Sequence, residues 1–227
     1  MSTRRVPIRE RLARLLPDGF RGRVAAATGG HRAYVGSAEQ YDIAGASQFN
    51  LLTLLGIREH HALLDIGCGS LRAGRLFLMY LQPGCYYAIE PQRWLVESAL
   101  AEIGRELIRI KRPAFDHGDG FRLDVFGRTF DYLLASSVFS HAAESQIRAC
   151  LSQASAVMTP ESLLLASFLP GATNYDGDRW TYPGTVTYTF ERMAELAEEQ
   201  RLDLQQIDWP YVYGAGGQAW LAFSTRR

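Results

Sequence analysis

The chain has 227 residues, enough for one α/β core with a short extension and more than a minimal module needs. Its 47% hydrophobic and 21% charged residues describe an ordinary globule and exclude a disordered tail or low-complexity linker. Lys plus Arg number 24, as do Asp plus Glu, so the overall charge gives no reason to expect nucleic acid as a partner.

At the N-terminus, Arg4, Arg5, Arg9, Arg11, Arg14, Arg21 and Arg23 interleave with Ile8, Leu12, Leu15 and Leu16, an amphipathic-helix pattern ended by Pro17, Asp18 and Gly19. Such a helix is either a targeting or membrane-surface segment or a solvated helix packed on the domain; the short apolar stripe favours the second. No run reaches the ~20 apolar residues of a membrane span, and no signal-peptide core precedes a cleavage site. No membrane partner is expected, and the cytoplasm is the expected compartment. Cys68, Cys85 and Cys150 lie far apart without C-x-x-C spacing, which predicts three free thiols and no zinc.

From residue 62 onward, short β-branched or aromatic runs alternate with helical periodicity, the pattern of βαβ units in a mostly parallel sheet. Strand 62–67, helix 71–81, strand 85–90 and a long helix 92–111 come first, with Gln82, Pro83 and Gly84 as a turn. A short third strand at 113–116 leads into a polar loop at 117–120. FDYLLASSV at 130–138 reads as a buried fourth strand, followed by a helix at 143–158 and a fifth strand at 163–168, with Thr159 and Pro160 marking the helix end. Residues 170–188 are too long and too rich in Gly, Tyr, Asp and Pro for a plain connection, which predicts a lid or substrate-binding insertion. Thr189 caps an amphipathic helix at 189–200 whose wet face carries Glu191, Glu195, Glu198 and Glu199. Strands 202–209 and 218–223 are joined by 210–217 without room for a helix, so they form an antiparallel hairpin at the sheet edge.

The first strand ends in Asp65, Ile66, Gly67, Cys68 and Gly69 where a helix should begin, so the main chain is bared for close approach to a ligand. A dinucleotide site would require G-x-G-x-x-G, but Arg72 stands where the third glycine belongs, and no G-K-[ST] follows for a phosphate loop. Glu90 ends the second strand, with Pro91 beside it, where a carboxylate can accept from both hydroxyls of a ribose.

Through LDIGCG at 64–69, YAIE at 87–90, FDYLLASSVFSH at 130–141 and GGQAWLAF at 216–223, the sequence resembles the class I S-adenosylmethionine (SAM) dependent methyltransferases over residues 34–225. YVGSAEQYDIAGASQFNLLTLLGI at 34–57 looks like the leader that precedes this loop in bacterial small-molecule members. The resemblance implies a Rossmann-like seven-stranded, mostly parallel α/β sheet with an antiparallel last strand and helices on both faces. It implies a helical cap at 1–57 and the SAM-binding domain at 58–227. It places Asp65 at the methionine amino end, Gly67, Cys68 and Gly69 along the methionyl portion, and Glu90 and Pro91 at the ribose. Asp119, Gly120 and Phe121 fall at the adenine in preference to Asp116, with Ser136 beyond the fourth strand, and Tyr41, Gln48 and Phe49 cover the cofactor. Leu71 departs from the pattern where many members have a third glycine.

Methyl transfer from a sulfonium is an in-line displacement in which positioning supplies much of the rate, and a base adds ~10²–10⁴-fold where the acceptor must lose a proton. His141 follows the fourth strand at the ligand-binding edge and is the candidate base; the structural alternative is that Ser140 and His141 cap the next helix. His31, His60, His61 and His117 are expected at the surface. Tyr175, Trp180, Tyr182 and Tyr188 form either an aromatic wall over the acceptor or a small core of their own. Asp176 and Asp178 lack the ligand series of a calcium loop and read as turn residues, so no metal is expected. The expected partner is a small-molecule methyl acceptor, and a homodimer stays open. A SAM-fold binding subunit without methyl transfer and an NAD(P)-dependent reductase are the alternative functions.

Overall fold

The computed structural model describes residues 30–212 and 217–226, so the arginine-rich stretch at 4–23 lies outside the described residues. Two helices lead in, α1 (Gly30–Tyr34) and α2 (Tyr41–Leu54). The body then runs β1 (Leu63–Ile66), α3 (Gly74–Tyr80), β2 (Tyr86–Ile89), α4 (Arg93–Ile103), α5 (Arg105–Lys111) and β3 (Ala114–Asp116). After a 3₁₀ turn at Leu123–Phe126 come β4 (Phe130–Ala135), α6 (Glu144–Val157), β5 (Met158–Phe168), α7 (Phe190–Glu199), β6 (Leu202–Ile207) and β7 (Ala219–Thr225).

The seven strands form one sheet in the order β3-β2-β1-β4-β5-β7-β6. All neighbours pair in parallel except β7, which runs antiparallel between β5 and β6. Helices cover both faces, so the central strands are buried on both sides, which is why LLDI of β1 is an unbroken apolar run save for Asp65. One face packs Ile147, Leu151, Met193 and Leu196 against Leu64, Leu133 and Phe223. The other packs Leu51, Leu52, Phe77 and Val96 against Leu63, Leu134 and Trp220. Strand order reverses between β1 and β4, and in open α/β sheets ligands bind at the carboxyl ends beside such a reversal.

Several expected boundaries move, each for a local reason. Helix 71–81 begins only at Gly74, because Leu71 takes φ +58°, a left-handed turn that no helix continues through. The departure from a third glycine is therefore met by a leucine in a conformation that glycine adopts without strain. The long helix expected at 92–111 is two helices divided at Gly104, whose φ of +99° breaks the backbone spiral. The fourth strand ends at Ala135 instead of 138, because Ser137 is left-handed at φ +60°. The fifth strand starts at Met158 rather than 163: Pro160 sits where the β4–β5 register shifts, a place in a sheet that tolerates a missing N–H. Thr189 caps α7 as expected, its hydroxyl accepting from Arg192 N–H at 3.1 Å.

α2 lies against the turn after β1, and Gly45 makes this possible: a Cβ there would stand 2.4 Å from the Arg72 carbonyl oxygen. Gly45→Ala should lift α2 from the turn and cost about 1–3 kcal/mol, seen as a lowering of Tm by about 2–10 °C. An unchanged Tm would show that α2 is free to shift.

Candidate functional site

Gly67 and Gly69 take φ +67° and +56°, so the chain reverses between β1 and α3 in a conformation glycine tolerates. A Cβ at Gly67 would come within 2.8 Å of Val138, and one at Gly69 within 2.9 Å of Val35. Cys68 between them is buried, and burial raises its thiol pKa well above the ordinary value, so it is an inert apolar contact.

Glu90 stands 21 residues beyond Gly69 in sequence but grips it directly: one carboxylate oxygen accepts the Gly69 N–H at 2.9 Å and the other accepts the Gln92 N–H at 2.8 Å. Burial pushes the Glu90 pKa up, while these two backbone donors pull it down. Pro91 is exposed at the start of the following turn. The Gly69 amide is thus already given to a carboxylate, and α3 begins only at Gly74, which removes the helix N-terminus that a pyrophosphate would use here. This weighs against the reductase alternative.

Asp65 is buried at the end of β1 and accepts from the Tyr86 hydroxyl at 2.7 Å. Burial is the main cause raising its pKa to about 7, with Glu90 adding to the rise and Tyr86 and Arg72 opposing it. Gly74 gives that hydroxyl its room, since a Cβ there would stand 2.2 Å from it.

The lead-in helix holds the turn from the side. Tyr41 donates to the Ser70 carbonyl at 2.5 Å, with the Arg32 and Arg75 guanidinium groups over its ring at 4.8 and 5.3 Å. Gln48 donates to Ser136 Oγ at 2.9 Å and so spans from α2 to the exit of β4. Phe49 does not join them: it packs on Phe77 and Tyr80, because one residue along a helix turns the side chain by about 100°.

Beyond β3, Asp119 and Gly120 are exposed, and Phe121, at φ +53°, packs against the core edge. Asp116 instead accepts from Gly118 N–H at 2.8 Å, closing a local turn. His117 is not a free surface residue as expected; it is half-buried and its Nδ1 donates to the Glu90 carbonyl at 2.7 Å, holding the end of β2.

His141 lies past the exit of β4, and α6 begins only at Glu144, so it caps no helix. The turn at 181–184 wraps it. Thr181 N–H donates to the His141 carbonyl at 2.9 Å, and His141 Nδ1 lies 2.6 Å from the Gly184 carbonyl. A carbonyl only accepts, so Nδ1 carries the proton and Nε2 of the neutral ring keeps its lone pair. Burial lowers the His141 pKa, with the Gly184 bond opposing, which keeps the ring neutral at pH 7. Tyr182 and Trp180 flank it at centroid distances of 4.9 and 5.7 Å. The four aromatic residues of the insertion divide: Trp180 and Tyr182 meet His141, whereas Tyr188 is buried in the main core and Tyr175 packs on its edge.

One cluster had no signal in the sequence. Ser137 N–H donates to Ser167 Oγ at 2.7 Å, Ser167 donates to Gln218 Oε1 at 2.7 Å, and Gln218 Nε2 donates to Ser137 Oγ at 3.0 Å. Tyr211 joins through Ser137 Oγ. This ring closes the carboxyl ends of β4 and β5 and the start of β7. Its members lie 30 to 81 residues apart, so no local spacing announces it.

Residues 64–164 match a family model described as a methyltransferase domain. No curated protein sequence matches the chain. Among solved structures, the chain is similar to magnesium protoporphyrin IX methyltransferase (ChlM) from Synechocystis PCC 6803 with bound SAM, at 14% identity and TM-score 0.63 over 99% of this chain and 100% of that one. It is also similar to the glycopeptide N-methyltransferase MtfA complexed with SAM, at 14% identity and TM-score 0.61 over 80% and 94% of the two chains. DesVI of Streptomyces venezuelae superposes with TM-score 0.59 at 14% identity over 85% and 95%. At such identities the likeness is one of fold.

Proposed function

We propose that the chain, whose residues 64–164 match a methyltransferase-domain model, is a SAM-dependent methyltransferase that methylates a small molecule with His141 as general base. Bound SAM supplies an electrophilic methyl group on a sulfonium. The glycine turn at 67–69 holds the methionyl portion, and Glu90, with Pro91 beside it, holds the ribose. Asp119, Gly120 and Phe121 frame the adenine, with Ser136 at the inner wall. Tyr41 and Gln48 act indirectly by fixing Ser70 and Ser136, so α2, which falls in the extension proposed at 1–57, shapes the site of the domain proposed at 58–227. The Ser137–Ser167–Gln218 ring offers neutral polar contacts on the acceptor side.

The observation that favours a base is the Nδ1 bond of His141 to Gly184, which leaves Nε2 as the basic atom of a ring that packs near Trp180 and Tyr182. Nε2 takes a proton from the acceptor as the methyl arrives, and the two rings suit a planar or apolar acceptor. ChlM, a magnesium protoporphyrin IX methyltransferase, has a planar acceptor of this kind. The balanced charge supplies no hold for a polyanion, and the unbridged Cys68, Cys85 and Cys150 fit a cytoplasmic setting. Among the described residues no helix is long and apolar enough to cross a membrane. Incubating the protein and a cell extract with methyl-labelled SAM should yield a labelled acid-soluble product that separates from SAM and is missing from extract alone. Label found in precipitated protein or nucleic acid would contradict the proposal.

Asp65 gives a pH signature. With its pKa raised to about 7, the protonated form is favoured in the free protein, and the stability this adds is lost as pH rises through 7. SAM binding runs the other way, because an ammonium group calls for the carboxylate. SAM affinity should strengthen close to tenfold between pH 6 and pH 7.5, and Asp65→Asn should flatten the profile in a calorimetric titration. A steep profile that survives in the variant would assign the titration to another group.

A further inference from the structure

Tyr182 belongs to the insertion and packs on His141, but its hydroxyl reaches a different segment and donates to the carbonyl of Tyr34 at the end of α1. The two tyrosine rings lie 5.4 Å apart, and Tyr34 in turn stands edge-on to Trp94, in the first turn of α4, at 5.1 Å. Val35, the next residue, sits within 2.9 Å of where a Cβ of Gly69 would stand, and its carbonyl accepts from Arg72 at 3.0 Å. Residues 34 and 35 therefore lie on the glycine turn, held by Arg72 from the turn itself and by Tyr182 from the insertion. Burial is the main cause raising the Tyr182 pKa, with Tyr34 and Glu90 adding to the rise and Arg72 opposing it, so the phenol keeps its proton and stays a donor. The same ring lies 4.9 Å from that of His141. One side chain thus joins the cover of the glycine turn to the candidate base.

The turn that carries Tyr182 is held from its inner side. Thr181 donates to the His141 carbonyl through its N–H and its hydroxyl, the Gly184 carbonyl accepts from His141 Nδ1, and Val186 N–H donates to the Ser140 carbonyl at 2.9 Å. Outward, Pro183, Gly184 and Thr185 are exposed. The base of the insertion is tied separately: the Gly171 and Tyr175 N–H groups donate to the Tyr188 and Thr187 carbonyls at 3.0 Å, and Tyr188 is buried. A surface turn with few buried contacts opens at a lower free-energy cost than the core beneath it, and here it can open while its base stays fixed. We propose that Tyr182 is a latch whose release from Tyr34 is a single opening with two effects: it uncovers the glycine turn for cofactor exchange, and it frees His141 from Thr181 and Gly184. The base is then held in place while the turn is covered. The latch rests on the placement of SAM and of the base proposed above.

Tyr182→Phe keeps the ring and removes the hydroxyl. In stopped-flow binding of S-adenosylhomocysteine, the association and dissociation rate constants should both rise about three- to tenfold, the worth of one net hydrogen bond, and leave Kd within about twofold. The two rates move together because the ligand crosses the same opening in both directions. Native-state hydrogen exchange reads that opening without ligand: the Thr181 and Val186 amides should exchange faster by the same factor, while amides of β1 and β4 keep their protection and report an intact fold. Thr181→Ala loosens the turn from the His141 side, through its lost hydroxyl bonds to the His141 and Gly184 carbonyls. It too should speed both rates, by about twofold or more. Unchanged rates in either variant would overturn the latch. So would a weaker Kd carried by dissociation alone, which would make Tyr182 a direct contact of the ligand, or faster amide exchange with unchanged binding rates, which would confine its role to the insertion. If the unaltered protein does not bind S-adenosylhomocysteine, the placement of SAM falls and the latch with it.

Discussion

Replacing Glu90 by alanine is expected to weaken SAM binding by about a hundredfold, or about 2.7 kcal/mol. The carboxylate is buried and already holds two backbone donors, Gly69 and Gln92. Each of its oxygens retains lone pairs for a ribose hydroxyl, so removal costs the cofactor its two hydroxyl contacts and also frees the Gly69 amide from its tether. Hydrogen bonds to charged groups are worth about 1.5–3 kcal/mol each, so two such bonds at the low end of that range account for the figure. Glu90→Gln keeps the shape and one acceptor but no charge, and should lose about tenfold. Calorimetric titration reads both; an alanine variant with unaltered affinity would move the ribose elsewhere.

His141→Ala should lower kcat by about 10²–10³-fold, within the range for a general base, while the Kd of SAM stays the same. The side chain meets the insertion through Gly184, Trp180 and Tyr182, so binding and chemistry should separate. Burial lowers its pKa, which places the acid limb of the kcat/KM profile below the ~6.5 of an ordinary histidine. The measurement is steady-state turnover on the acceptor identified by label transfer. Undiminished turnover would mean that positioning alone, or another group, suffices for the reaction.

The parts of this site that sequence could show are those the backbone itself demands. Gly67 and Gly69 were legible because left-handed φ values at a strand end permit few other residues, and Glu90 because it ends the next strand. The fold class was legible for the same reason: apolar runs such as LLDI and FDYLLA occur where a strand is covered on both faces. What stayed hidden depends on contacts between distant segments. His117 holding Glu90, the turn at 181–184 around His141 and the serine–glutamine ring all join residues 27 to 81 apart. Phe49 parts from the expected cover because the helical period sends Gln48 to Ser136 and Phe49 to Phe77. The burial of Arg72 and its bond to the Val35 carbonyl are likewise properties of the folded chain.

The placement of the cofactor is tested most directly by the crystal structure of the protein with S-adenosylhomocysteine. Both ribose hydroxyls are expected within about 2.6–3.2 Å of the Glu90 carboxylate, with the homocysteine portion along Gly67–Gly69. A ribose bound away from Glu90, or a homocysteine portion lying off the glycine turn, would contradict it.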